Sequence, residues 1–554
     1  MGTVGLSFGS PTSGAGFDVS KTVAQIVGNL RAIESPWKNQ LTKIENQDTE
    51  LSNLGGLLSN LSKDIGQFTD FQGVLATKSG SSSDNNVLQL TGATPAAVAG
   101  THTIVVTSLA QTSSGYLDLI ADPSDILSGS VTLKVGNGTA QTIEVGATNN
   151  TLKKLSSSIN ALGIGVIANV ITDANGSRLS LVSAVSGAKG DLSVTSNITD
   201  VTTSGTALAY NLSQPGLNAN LSVDGVVIAS ASNTVTNVIP GVTFQLLSNA
   251  PNTQVQVVVA NNTISVEGVL ASFVSDYNAV ITAINAQEKN DSSGNPEPLF
   301  GSPTLSAMQQ QVLGALASRD PSGYIDPVQS TTDTLTGSIT IQVGGSAAQT
   351  IAIDPAKNTL EGLASTINAA NIGVDASIKT DATGSYLELI SMTVGAAGAL
   401  TVSSTLSDTT TNKTLLYNNS GSQLGGLTGL GVSVKNDGTL AIDGASLSAV
   451  LNNNYSGVIA FFQNANSWGQ NFTHVLNNVN SSSSGIIGLA LSSDRNVVSN
   501  LNADIAREER AISIQERSLT AELNSVNQIM QSLPSLLNQT NQLYAAITGY
   551  RQNG

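Results

Sequence analysis

The chain has 554 residues, with 22 Lys and Arg against 38 Asp and Glu, and a formal net charge of −16 at pH 7. Because so acidic a chain repels phosphate groups, this charge argues against nucleic acid and anionic membranes as partners. The chain has no cysteine and only two histidines, His102 and His474, which excludes disulfides and cysteine-based zinc sites. We therefore expect no metal, no cofactor and no catalytic residue, and the protein is not predicted to be an enzyme.

The sequence also lacks signals for a membrane. No run of about eighteen apolar residues occurs, so no transmembrane helix and no membrane insertion are predicted. Residues 1–16 carry neither a basic segment nor a continuous apolar one, and no cleavable secretion signal is predicted. If the protein leaves the cell, we expect a route that does not require such a signal.

The N-terminal region is predicted to be helical after a Gly- and Ser-rich leader, residues 2–16. Asp18 is a plausible cap for a first helix, and Ser35-Pro36 can end that helix and start a second one running to about Phe71. The apolar side of the first helix includes Val19, Val23, Ile26 and Leu30. The second helix carries a seven-residue ladder formed by Trp37, Ile44, Leu51, Leu58 and Ile65. A seven-residue apolar period favours helix-on-helix packing.

The middle of the chain changes to alternating, turn-punctuated segments from about residue 80 to 259, which predicts β-strands. Helical spacing returns at residues 264–284 and 305–316. Asp437-Gly438 is predicted to form a tight turn between strands rather than a calcium loop, because the alternating oxygen ligands and the final Glu are missing.

An internal duplication lies within this middle part. Residues 129–136 (GSVTLKVG) match residues 337–344 (GSITIQVG), 208 positions later, and the same offset aligns about fifty further positions without a gap, such as 140–143 with 348–351. Each copy is predicted to contain two strands, a short helix and two strands. The copies are too far apart for a solenoid of contiguous repeats, so we interpret them as two similar inserted modules.

The C-terminal region carries a second ladder, and Pro534 is predicted to kink or split its helix near Met530. The members of this ladder are Ile505, Ile512, Leu519, Val526 and Leu533. We predict that both ladders meet in one stem, with Trp37, Ile44, Leu51 and Leu58 packed against Leu519, Val526 and Leu533. The predicted fold is therefore α+β and multi-domain, with a coiled-coil stem formed by both chain ends and β-rich head domains inserted between them.

These observations predict eight segments. They are a flexible and helical docking segment (1–35), a stem helix (36–77), a β-rich head (78–115 and 215–262), the first module (116–214), central stem helices (263–318), the second module (319–424), a return segment (425–470), and a C-terminal stem helix with its docking segment (471–554).

Several segments resemble the hook-associated protein 2 family of flagellar filament caps, over nearly the whole chain. The N-terminal mark is GAGFDV at 14–19 followed by ESP at 34–36, and the segments at 81–88 and 100–111 are similar to the next part of the family. The more specific segments are FVSDYNAV at 273–280, PLFG at 298–301 and LGVSVKNDGTL at 430–440, continuing to Phe461-Phe462. The duplicated module resembles the hook "IN" motif of flagellar proteins.

The resemblance implies a cap at the distal tip of the flagellum, outside the cell, that promotes folding and insertion of exported flagellin and prevents its loss. The implied partners are further copies of the chain in a ring, flagellin, hook-filament junction proteins, and a cytoplasmic export chaperone bound to the C-terminal helix. We expect docking through terminal residues on both helices, namely Val19, Val23, Ile26, Leu30, Leu537, Tyr544 and Ile547. Two alternatives stay open: another flagellar axial protein of the flagellin or junction type, and a cap whose exposed head also acts as an adhesin.

Overall fold

The computed structural model describes residues 15–203 and 205–549. Most of the predicted leader and the last five residues therefore lie outside the described residues. The chain divides into two compact units, one of residues 70–268 and one of residues 1–69 together with 269–554. Helices occupy both chain ends and β-sheets lie between them, which confirms the predicted α+β class.

The N-terminal region contains two helices, α1 (Val19–Arg31) and α2 (Ser35–Thr69), joined by a 3-10 turn at Ala32–Glu34. The Asp18 side chain accepts the backbone N–H of Lys21 at 3.0 Å, which confirms the predicted cap. Helix α2 has 35 residues and keeps one apolar face buried along most of its length. Pro36 is accommodated because the first turn of a helix needs no N–H donor there.

The unit of residues 70–268 is built from antiparallel sheets. Its elements are β1 (Lys78–Ser82), β2 (Leu88–Ala93), β3 (Gly100–Ser108), β4 (Thr112–Leu117), β5 (Leu127–Val135), β6 (Gln141–Val145), α3 (Leu152–Ala161), β7 (Val166–Asp173), β8 (Gly176–Ser186), β9 (Leu192–Ser196), β10 (Thr199–Asp200), β11 (Thr206–Ala207), β12 (Tyr210–Gln214), β13 (Ala219–Val223), β14 (Val226–Ser230), β15 (Thr234–Thr236), β16 (Val242–Leu246) and β17 (Val255–Asn261).

Two hydrophobic cores lie in this unit. The first joins the sheet β1-β17-β3-β13-β14 to the sheet β15-β16-β2 and includes Ile104, Phe244 and Val257. The second lies in the first module, where helix α3 covers the sheet β12-β4-β8-β7 and strand β5 with its partners. The predicted boundary had placed residues 112–115 in the head. Strand β4 pairs with β8 and β12, so these residues belong to the first module instead.

The other unit continues with α4 (Thr263–Gln287), whose first residues belong to the preceding unit, and ends in four helices. Its elements after α4 are α5 (Pro303–Leu316), β18 (Gly323–Val328), β19 (Leu335–Thr336), β20 (Ser338–Val343), β21 (Gln349–Ala352), α6 (Leu360–Ala369), β22 (Val374–Asp381), β23 (Gly384–Ser391), β24 (Leu400–Ser404), β25 (Ser407–Asp408), β26 (Lys413–Thr414), β27 (Tyr417–Asn419), β28 (Val432–Val434), β29 (Leu440–Ile442), α7 (Gly444–Asn453), α8 (Tyr455–Gln463), α9 (Trp468–Asn480) and α10 (Ile486–Thr548).

The two modules repeat each other in detail. Each has two strands, a helix and two strands in the predicted order, as β5-β6-α3-β7-β8 and β20-β21-α6-β22-β23. Asn160 clamps the backbone N–H and C=O of Ala168 at 2.8 Å each, and Asn368 clamps Ala376 at 2.7 and 2.8 Å. The repeat extends beyond the sequence match, because the pairing of β4 with β12 recurs as the pairing of β18 with β27.

An aromatic cluster holds the helices of this unit together. Trp468 stacks between Phe461 and Phe472, at ring-centroid distances of 5.1 and 5.0 Å, and meets Phe273 edge-on. Phe68 of α2 stacks on Phe462 of α8 at 4.4 Å. Stacked and edge-on aromatic pairs each contribute about 0.5–1.5 kcal/mol beyond the area they bury. This cluster holds the C-terminal end of α2 against α8 and α9, and so sets the position of α2 in the helical bundle.

Candidate functional site: the packed ends of the chain

Helices α1 and α2 run antiparallel to α10. The backbone N–H of Phe17 donates to Asn527 Oδ1 at 2.8 Å, and further along the chain Arg31 forms an ion pair with Glu509 at 3.1 Å. Further still, the side-chain amide of Asn480, just before α10, donates to the Gly55 carbonyl at 3.1 Å. Partner numbers fall as the N-terminal numbers rise, so the two chain ends form one antiparallel bundle.

The N-terminal ladder lies on the buried face of this bundle. Leu51 is 2% exposed, Leu58 and Ile65 are fully buried, and Ile44 is 7% exposed, whereas Trp37 is half-buried. Leu54, Leu61 and Phe68 share the same face. This face continues the core formed by the aromatic cluster, so the ladder is part of the folded interior of the unit.

The C-terminal ladder is divided between interior and surface. Ile512 is 1% exposed and packs with Val19, Val23 and Val27 of α1, while Leu519 lies at the edge of that cluster. Ile505 and Leu533 are half-buried. Val526 is 41% exposed. Only the part of the ladder opposite α1 is therefore sealed within the chain.

The predicted partnership between the two ladders was wrong in register. Because Gly55 lies against Asn480 and Ile487, Leu51 faces the first turns of α10, far from Leu519, Val526 and Leu533. Leu519 packs near α1 instead. The reason is that α1 and α2 follow each other almost without interruption, so both lie along α10. Because α1 occupies the C-terminal part of α10, α2 lies further toward the N-terminus of α10, by the full length of α1.

Helix α10 itself is a single element of 63 residues that contains Pro534, so of the predicted kink or split near Met530 the split does not occur. Its last turns carry an exposed apolar stripe. Among the predicted docking residues Leu537 is 45% exposed, Tyr544 63% and Ile547 77%. The stripe also includes residues that sequence reasoning missed, namely Val526 (as a surface residue), Ile529, Leu536 and Leu543. The seven-residue spacing of 529, 536 and 543 could have revealed them.

The N-terminal docking residues behave differently. Val19 and Val23 are 9% and 5% exposed, and Ile26 and Leu30 are half-buried, because α1 lies on α10. These side chains are partly consumed by packing within one chain. The structure thus separates the predicted docking residues into a covered N-terminal set and an exposed C-terminal stripe.

Charged groups flank the bundle in two ways. Lys38 pairs with the buried carboxylate of Glu34 at 2.6 Å and lies 3.8 Å from Glu509, so Glu509 contacts both Arg31 and Lys38. At another place in the bundle two carboxyl groups, those of Asp48 and Asp494, lie close together. Burial and, after it, the neighbouring Asp494 raise the pKa of Asp48 to about 6, against a smaller opposing effect of Arg495.

A second pair of carboxyls joins α2 to α4. Burial raises the pKa of Asp64, and the charge of Asp276 adds to the rise. Because burial disfavours the charged form and like charges repel, Asp48 and Asp64 keep their protons to a higher pH than a free carboxyl group does.

The described residues offer little chemistry of other kinds. Residues 15–203 and 205–549 contain no group of three His, Cys, Asp or Glu side chains that could hold a metal ion. In the same ranges no helix has the length and apolarity needed to span a bilayer. His102 lies in strand β3, where its Nδ1 is 2.7 Å from Asp224 Oδ2, and this bond lowers the pKa of Asp224. Asp224 follows 122 residues later, beyond the reach of local sequence reasoning.

Comparison with protein families places both ends and the centre of the chain in one group. The family model described as flagellar hook-associated protein 2 C-terminus matches residues 216–336 and 364–535, and the corresponding N-terminus model matches residues 15–113. The chain belongs to the flagellar hook-associated protein 2 family. These models do not favour the alternative of a flagellin or a hook-filament junction protein.

Individual proteins that are similar to this chain bear the name of the same family. The B-type flagellar hook-associated protein 2 of Pseudomonas aeruginosa is 30% identical over 344 residues, which cover 55% of this chain and 71% of the relative. That of Aeromonas caviae is 25% identical over 59% of this chain and 70% of its own. The D1-D2-D3 domains of the Escherichia coli flagellar cap protein FliD share the fold, with a TM-score of 0.50 and 18% identity over 80% of this chain and 99% of theirs.

Proposed function

We propose that this chain caps the distal end of the flagellar filament, where copies of it form a ring that promotes the folding and insertion of flagellin and prevents its loss. Membership of the hook-associated protein 2 family carries this proposal, since the family models match both the N-terminal and the C-terminal segments. The shared fold with a flagellar cap protein supports it. The site of action is outside the cell, at the tip of the flagellum.

The exposed stripe of α10 is the surface through which we propose that the cap docks. Seven apolar side chains of this helix between Val526 and Ile547 are at least 41% exposed. Burying one such side chain contributes about 1.5–3 kcal/mol. An amphipathic helix with an uncovered apolar face is suited to lie against other helices, which fits docking on helical filament ends and on neighbouring copies.

The same stripe would be open to water before assembly. We propose that a cytoplasmic export chaperone covers it there, and that hook-filament junction proteins meet the cap at the earliest stage of filament growth. We also propose export through the flagellar channel without a cleaved signal peptide. The absence of cysteine supports this route, because the chain can pass unfolded without cross-links.

Deletion of the gene and complementation test the proposal. Cells without the protein are expected to release flagellin monomers into the medium and to lack normal filaments, and the wild-type gene is expected to restore both. Normal filaments and no flagellin release in the deletion strain would disprove the capping function.

Variants in the stripe test the docking surface separately. Leu537→Asp with Tyr544→Asp is expected to leave secretion of the protein measurable but to abolish complementation, because two charges cannot be buried on a filament end without a large cost. Asn538→Asp with Asn541→Asp is the matched control, since it adds the same charge at exposed polar positions of the same helix. Equal complementation by both double variants would contradict docking through this stripe.

A further inference from the structure

A cavity of about 180 Å³ lies where the second module meets the segment between α8 and α9. Its walls combine carboxylates, phenol rings and polar side chains. The residues that matter here are Asp320, Tyr324, Tyr386, Glu388, Ser420 and Asn466. All of them belong to the unit that contains the terminal helices.

The carboxylates of this cavity are buried. Asp320 is 2% exposed and Glu388 is 6% exposed. Asp320 accepts the backbone N–H of Trp468 at 2.9 Å, yet burial and, to a smaller extent, the charge of Glu388 raise its pKa to about 6. A carboxyl group with a raised pKa in a cavity lacks the positive charge that would hold it ionised.

Aromatic and polar side chains also line the cavity. The rings of Tyr324 and Tyr386 have centroids 5.6 Å apart, and the Asn466 side chain donates to the Tyr386 hydroxyl at 2.9 Å. The Ser420 hydroxyl is buried and has no hydrogen-bond partner among the described residues. A buried hydroxyl without a partner costs free energy that a bound ligand could recover.

The first module carries a cation at the equivalent place, and that cation forms an ion pair with Asp173 at 3.1 Å. Tyr116 pairs with Ser180 across strands β4 and β8, and Tyr324 pairs with Glu388 across β18 and β23 in the same register. In the first module the guanidinium of Arg178 lies over the Tyr116 ring, 5.7 Å from its centroid. The position equivalent to Arg178 in the second module is Tyr386.

At the positions of Arg178 and Ser180 the second module therefore has a second phenol ring, Tyr386, and a buried carboxylate, Glu388. We propose that this cavity binds a guanidinium group supplied from outside the chain, such as the head of an arginine side chain. The group would lie against the Tyr324 ring, as the Arg178 guanidinium lies over the Tyr116 ring, and it would pair with Glu388 and Asp320.

A guanidinium suits the site better than an ammonium ion. It is planar, it stacks on phenol rings, and its parallel N–H groups match carboxylate oxygens. Lys379 already approaches Glu388 Oε2 at 3.6 Å from the solvent side, with its own side chain 52% exposed. Lys379 thus competes weakly for Glu388, and its removal is expected to strengthen binding.

Titration of the full-length protein with N-ethylguanidinium, followed by calorimetry, tests the proposal. Saturable one-site binding is expected, and the uncharged analogue N-ethylurea is expected to bind at least about tenfold more weakly because it cannot pair with the carboxylates. No saturable binding, or equal binding of the urea, would overturn the proposal.

Variants locate the site. Glu388→Gln is expected to weaken binding at least about tenfold and Lys379→Gln to strengthen it. Tyr386→Arg copies the first module and is expected to abolish binding by filling the cavity from within, while Arg178→Gln in the first module leaves binding unchanged. Unchanged affinity in both Glu388→Gln and Tyr386→Arg, with the circular dichroism of the wild type, would place binding elsewhere and overturn the assignment.

The source of the guanidinium can be read from the assembly state. If sedimentation shows that N-ethylguanidinium and Tyr386→Arg both dissociate oligomers of the chain, the group belongs to a second copy. If oligomers persist while N-ethylguanidinium still binds, the guanidinium group is supplied by a different molecule. Both outcomes support a guanidinium site in this cavity.

Discussion

Removal of the Ile512 side chain is the most direct test of how the chain ends pack. Ile512 is 1% exposed and lies at the centre of the cluster that holds α1 on α10. The substitution Ile512→Ala is expected to release α1 without unfolding the rest of the unit. The reason is that the other members of this cluster belong to α1, to Phe17 just before it, or to the following turns of α10.

The magnitude follows from the atoms removed. Ile512→Ala deletes three carbons, worth about 0.8 kcal/mol each in transfer from water, and buried Ile→Ala changes cost about 2–5 kcal/mol once the cavity is included. We expect about 2–3 kcal/mol, at the lower end, because a single helix lying on a surface can partly collapse into the gap. Such a loss corresponds to a fall of about 30- to 150-fold in an opening equilibrium.

Native-state hydrogen exchange of the α1 amides measures this opening directly, and global unfolding is avoided because a multi-domain chain is not expected to unfold in one step. The matched control is Ile514→Ala on the same helix, where the side chain is 61% exposed. The control is expected to change protection by less than about 0.5 kcal/mol. If both variants lowered α1 protection equally, or neither did, the packing described here would be refuted.

The same assay reports the register through double-mutant cycles. Val23→Ala and Ile512→Ala are expected to couple by about 0.5–1.5 kcal/mol because the two side chains share one cluster. Leu51→Ala and Val526→Ala are expected to be additive, since Leu51 faces the start of α10. Coupling in the second pair would restore the register that the sequence had suggested.

Two further predictions concern polar groups. The pKa of Asp48, raised to about 6, means that its contribution to stability is present below its unfolded pKa of about 4 and is lost as the pH rises through about 6. Asp48→Asn is therefore expected to raise the thermal midpoint at pH 7.5, by on the order of 1 kcal/mol in stability, with little effect at pH 4; an equal effect at both pH values would contradict the Asp48–Asp494 repulsion. Asn160→Ala and Asn368→Ala are each expected to destabilise their own module by about 2–4 kcal/mol, because each frees two backbone groups of one strand. Limited proteolysis of each variant should then cut the altered module first, and cutting of the other module would argue against the clamp.

Much of the helix pattern was readable from local sequence. The Asp18 cap, the bounds of α2 within a few residues and the strand order of both modules follow from periodicity, capping chemistry and the 208-residue repeat. The failures were of two kinds. Pro534 did not split α10, since the local penalty of a proline can be offset within a long helix. The partner of each ladder was chosen by matching hydrophobic patterns that are equally regular in several registers.

The cavity in the second module could not be predicted from local sequence either. Tyr386 and Glu388 stand two residues apart in one strand, and nothing local distinguishes them from other strand residues. Their meaning depends on Asp320 and Asn466, which the fold brings to the same place from distant positions, and on the contrast with Arg178 in the other copy.

The sequence by itself determined the class of the fold, the family and the helical character of both ends, because periodicity, capping and repeats are properties of neighbouring residues. Only the tertiary structure decided which apolar side chains are consumed within the chain and which stay exposed. That division depends on the register of α1 and α2 along α10, which is set by the aromatic cluster at one end and the uninterrupted run of the two N-terminal helices at the other. Because helix packing is cooperative over the whole length, no single heptad could reveal it.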